Sequence, residues 1–152
     1  MKHINDDYQA FVDNGSFYAH VNYRDAGEFS YVALGLAGEA GETADEIKKI
    51  VRVSSYFNEV LFRQEFAKRG IKVLDETSDI LWYLTRMCTL LGITLNELMI
   101  YNTVKLYNRH YPKGTDKSIP WPLENISYEG ATKLVQRIEQ GITDLICLEN
   151  RI

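Results

Sequence analysis

The chain has 152 residues, enough for one domain with a single core and an appendage. Its 45% hydrophobic and 25% charged content is that of an ordinary globular protein, and a net charge of −4 argues against a general nucleic-acid binder, which needs a basic face. No apolar run is long enough to span a membrane, and the opening MKHINDDYQAF has no apolar leader segment. Cys88 and Cys147 sit among apolar neighbours at helical spacing, so the expectation is a cytoplasmic chain with reduced thiols.

The three prolines, Pro112, Pro120 and Pro122, share one stretch, which leaves everything before Pro112 open to helix. Strand signals are weak: there is no long alternating run. The fold class expected is therefore all-α. A short helix is expected around Asp6 to Val12, then an irregular aromatic stretch through Tyr23. A second helix begins near Asp25, where Asp25-Ala-Gly-Glu28 has capping-box spacing, and runs to about Val51. Phe29, Val32, Leu36, Ala40, Ala44, Ile47 and Ile50 form its apolar stripe. Ser54 and Ser55 cap a short helix from Tyr56 to Arg69, which Gly70 is expected to end.

A third long helix is expected from about Lys72 to Leu91, stopped by Gly92. A fourth starts at Thr94, where Thr-x-x-Glu97 is again a capping box, and continues to about His110. Residues 111 to 127 read as an exposed linker. A last amphipathic helix, Tyr128 to Glu149, carries Ala131, Leu134, Val135, Ile138, Ile142, Leu145 and Ile146 on one face, and reads as a packing or oligomerisation element. The expected domains are 1–114, a linker 115–127 and the helix within 128–152.

Two pairs of acids stand out. Glu39 and Glu42 are three apart, as are Glu76 and Asp79, so each pair points to one side of its helix. At about 100° per residue, Glu39 flanks the second helix's apolar stripe, and Glu76 falls within that of the third, in line with Ile80 and Tyr83. If the two helices pack antiparallel, the pairs face each other. Unit charges about 4 Å apart repel by roughly 4 kcal/mol at an effective dielectric of about 20, so something must neutralise them. With oxygen-only ligands, Mg²⁺ or Mn²⁺ is the natural candidate. The plainer reading is a set of solvated surface acids, with Lys72 pairing with Glu76 and Asp45 with Lys49.

On the fourth helix Asn102, Lys105 and Arg109 share one face with Leu95, Leu98, Met99 and Leu106, a stripe expected to turn inward. Lys105 and Arg109 then suit substrate phosphates, with Asn102 orienting a ligand. The plainer reading is that their stems snorkel outward and favour the helix C-terminus.

Three blocks together resemble the MazG-like, all-α nucleoside triphosphate pyrophosphohydrolases. They are LGLAGEAGETADEIKKI (34–50), DETSDILWYLTRMCTLLGITLNEL (75–98) and YNTVKLYNRH (101–110). The family pattern of Glu-x-x-Glu, Glu-x-x-Asp and Asn-x-x-Lys appears as Glu39/Glu42, Glu76/Asp79 and Asn102/Lys105. The resemblance covers about residues 7 to 114, and the segment between the acid motifs is longer than in compact members. It implies an antiparallel four-helix-bundle-like fold, here with an additional C-terminal helix, that forms a homodimer or homotetramer. It further implies Mg²⁺-dependent hydrolysis of a ribo- or deoxyribonucleoside triphosphate to monophosphate and pyrophosphate.

On that reading Glu39, Glu42, Glu76 and Asp79 hold the metal, Lys105 and Arg109 stabilise phosphate charge, and Glu39, Asp75 or Glu46 accepts a proton. Trp82, Tyr83, Phe17 and Tyr18 are candidates to meet the base. The alternatives in the same fold are a dUTP, dCTP or phosphoribosyl-ATP pyrophosphatase, or a non-catalytic nucleotide sensor or scaffold. A ferritin-like di-iron bundle is excluded, because none of His3, His20 and His110 has Glu three residues before it.

Overall fold

The computed structural model describes residues 4–14, 26–54, 58–111 and 120–149, with side chains described through Asp144. Every regular element among them is an α-helix: α1 (Ile4–Asn14), α2 (Ala26–Ser54), α3 (Glu59–Leu90), α4 (Leu95–His110) and α5 (Tyr128–Glu149). The all-α expectation holds at that level. Asp25, Phe17, Tyr18, and the side chains of Leu145, Ile146 and Cys147, lie outside the described residues.

The chain divides into two compact units, Ala10–Leu90 and Met1–Gln9 with Leu91–Ile152. The first is dominated by a hairpin of α2 and α3, of 29 and 32 residues, each about 45 Å long. Side-chain pairs show that the two helices run antiparallel. Glu28 meets Arg86, Tyr31 meets Tyr83, and Glu46 meets Arg69, so one number falls as the other rises. Val32, Ile50 and Cys88 are buried in this unit.

One expectation fails here. Gly70 does not end a helix; α3 runs through it without interruption. A helical glycine costs about 1 kcal/mol relative to alanine, a penalty that packing along the whole of α2 outweighs. The glycine that does stop α3 is Gly92, whose φ of 71° places it in the left-handed region that L side chains avoid.

In the second unit α4 packs against α5. Thr94 caps α4 through the expected box: its hydroxyl accepts from the Glu97 amide, while the Glu97 carboxylate accepts from the Thr94 amide. The start of α1 is tied to this cap. Gln9 accepts from the Leu95 amide at 2.8 Å and donates to the Ile93 carbonyl at 3.1 Å. Ala131 and Ile138 of α5 are buried, as are Leu95 and Val104 of α4. Tyr107, Trp121 and Tyr128 pack ring against ring, and the Trp121 indole donates to the Ile126 carbonyl at 2.7 Å.

Candidate metal centre on the helical hairpin

Antiparallel pairing brings the acid motifs of α2 and α3 together. Carboxylate oxygens of Glu39, Glu42 and Glu76 all lie within 4.8 Å of one another, with Glu39 and Glu76 half-buried and Glu42 exposed. Asp79 is exposed and outside that group, yet close enough to act on Glu39. Burial first, then the charges of Asp79, Glu42 and Glu76, push the Glu39 carboxyl above its ordinary value, and a hydrogen bond with Glu76 adds to the rise. The electrostatic strain expected from sequence is therefore present. Lys72 forms no ion pair with Glu76 among the described residues, so that remedy is not used.

A cleft of about 290 Å³ opens beside the group, lined by Glu42, Glu76, Asp45, Glu46 and Lys49. Its far end is an ion-pair network. The Lys49 ammonium donates to Glu46 at 2.5 Å and pairs with Asp45 at 2.9 Å. Arg69 of α3 donates to Glu46 across the hairpin at 3.2 Å. Hydrogen bonds from Lys48 and then Lys49 hold the Asp45 carboxyl down at about 2. The Glu46 carboxyl, lowered chiefly by Lys49, is committed to these partners. It is the least available of the three proton acceptors considered from sequence. Asp75 is exposed and is not brought into the acid group.

At the other end, one helical turn from Glu39 and Asp79, the ring of Tyr83 rests on Gly35. A Cβ at Gly35 would overlap that ring, whereas one at Gly38 or Gly41 would meet nothing. Tyr83 hydrogen-bonds Tyr31, and burial, that bond and the nearby acids push its phenol up to about 12, so it stays protonated.

Beyond it lies a buried network that the sequence reading missed. Arg86 donates from Nε and Nη2 to the Glu28 carboxylate at 2.9 and 2.5 Å, and lies 3.5 Å from Asp13 of α1. Thr89 donates to Asp13 at 2.5 Å. Glu28 had read as a helix cap. The available signal was the pairing register: stepping seven residues from Glu39 and from Glu76 in opposite directions reaches Glu46 with Arg69, and stepping eleven and ten the other way reaches Glu28 with Arg86.

The α4 cluster departs from expectation. Asn102, Lys105 and Arg109 are exposed, together with Met99 and Leu106. The inward face of α4 is the one bearing Val104, because α5 covers that side, with Tyr101 donating to Glu139 at 3.1 Å. The same unit holds a cavity of about 570 Å³ between Asn96, Met99 and Thr103 of α4 and residues 122–126. It has Glu124 and no cation in its lining, which suits no polyphosphate.

The fold and site thus define an all-helical protein with a carboxylate group set across a helical hairpin. The chain is 31% identical over 105 residues to the Gene 37 protein of Mycobacterium phage L5, a match covering 68% of this chain and 86% of that protein, and it belongs to the same family. No family model matches the chain, and no solved structure matches it.

Proposed function

We propose that the chain is a Mg²⁺-dependent nucleoside triphosphate pyrophosphohydrolase of MazG-like, four-helix-bundle type, acting on the cytoplasmic nucleotide pool. The observation that carries this reading is the convergence of Glu39, Glu42 and Glu76 from two antiparallel helices. Three hard oxygen donors within 4.8 Å, with no histidine or cysteine in the group, form a donor set that suits Mg²⁺ or Mn²⁺. The order of the Glu39/Glu42, Glu76/Asp79 and Asn102/Lys105 motifs is the second support.

Glu39, Glu42 and Glu76, with Asp79 beside them, would hold the ion. When bound, it supplies positive charge to an anionic triphosphate and lowers the pKa of coordinated water. Of the three acceptor candidates Glu46 is held by Lys49 and Arg69, which leaves Glu39 and Asp75 to take a proton. Lys105 and Arg109, exposed on one face of α4 with Asn102, are the side chains proposed to bind phosphate oxygens.

The active form is a dimer or tetramer. Support comes from the side of α3 turned away from α2, where Val60, Ile71, Leu74 and Leu81 form a stripe with exposures of 65, 69, 62 and 41%.

Incubating the chain with each ribo- and deoxyribonucleoside triphosphate plus Mg²⁺ tests the reading. Pyrophosphate and monophosphate should appear with at least one substrate, and Glu42→Gln should fold normally yet release none. Binding without turnover across the panel would instead support a nucleotide sensor.

A further inference from the structure

The acid group is bracketed along the hairpin by two cross-helix contacts, and they differ in kind. On one side Arg69 reaches Glu46, a bond between long, adjustable side chains. On the other the ring of Tyr83 lies so close to the α2 backbone that position 35 has no room for a Cβ. That ring is also constrained from its other sides. Trp82 meets it edge-on with centroids 4.9 Å apart, and Tyr31 lies across it at 6.4 Å. An aromatic side chain with only two torsions, held this way, is a stiff spacer. Gly35 precedes Glu39 by one turn of α2, and Tyr83 follows Asp79 by one turn of α3, so each member of the contact shares a face with an acid.

We propose that Gly35 and Tyr83 are a positioning pair: the seat of the ring on the glycine sets how closely the α2 and α3 carboxylates converge, and so how tightly they hold a divalent cation. The pair touches neither ion nor substrate. Its effect passes through Glu39 and Asp79, and it rests on the metal reading given above. The contact, not the phenol hydroxyl, is the active feature.

Mn²⁺ affinity, read by electron paramagnetic resonance on the full chain without nucleotide, tests this. Gly35→Ala should weaken Mn²⁺ binding by about 10–100-fold, the range typical of residues that orient metal ligands. Gly38→Ala, which stiffens the same helix and meets nothing, should not. Tyr83→Phe keeps the ring and should stay within a few-fold of wild type. Gly35→Ala combined with Tyr83→Ala should bind no worse than Tyr83→Ala alone, because without the ring the added methyl has room. Wild-type affinity in Gly35→Ala would overturn the positioning role, as would losses that simply add in the double variant. A wild-type chain that takes up no Mn²⁺ is a different failure, that of the metal reading itself, and would remove the role with it.

Discussion

Arg86 shows what a buried charge demands of its neighbours. It is 3% exposed, and its guanidinium is matched by Glu28, itself 1% exposed, and by Asp13. Removing one member of such a network leaves uncompensated charge, at about 3–5 kcal/mol. Arg86→Met should therefore lower the unfolding free energy by about that much in urea denaturation, and a loss under about 1 kcal/mol would mean that the network contributes little. Glu39 supplies a prediction of opposite sign. A carboxyl raised in the folded state favours folding only while protonated, so its cost grows as pH rises from the ordinary glutamate value of 4.5 through the raised one. Without divalent ions, Glu39→Gln should melt with wild type below that window and above it at neutral pH, and Mg²⁺ should narrow the gap. Of these residues the acid group was legible in the sequence, because i, i+3 spacing needs only one helix to be interpreted. Glu28 and Arg86 were not, because their burial follows from a pairing register that no local pattern states.

At the scale of elements, local chemistry carried furthest where an end is closed by its own residues. The Thr94/Glu97 box and Gly92 mark their boundaries in the sequence and in the structure alike. Gly70 misled because glycine weakens a helix without ending it: Gly92 takes the positive φ that stops α3, whereas Gly70 stays helical under cross-helix packing. Gly70→Ala should accordingly stabilise the chain by up to about 1 kcal/mol, Phe66 giving way slightly since its Cε1 would lie 3.2 Å from the new methyl. A fall in melting temperature would contradict a continuous, unstrained α3. The inward face of α4 was unreadable for another reason. Its two candidate stripes are both partly apolar, and α5, which begins only at Tyr128, decides which one is covered.

At the scale of the whole molecule, the proposed dimer or tetramer would cover the outward stripe of α3. Ile71 and Leu74 lie at its centre, on the side away from the acid group. Sedimentation should show a dimer or tetramer, and Ile71→Glu with Leu74→Glu should shift it toward monomer; a wild-type monomer at tens of micromolar would contradict this. The all-helical composition was legible from the proline distribution and the 3.6-residue patterning. What covers that stripe was not, since an apolar face names no partner. Calorimetric titration of the nucleotide-free chain with Mg²⁺ at neutral pH asks whether acids from α2 and α3 share one divalent ion. Saturable uptake that disappears when Glu42 and Glu76 are both changed to Gln is the result expected; a wild-type chain indistinguishable from that double variant would contradict it.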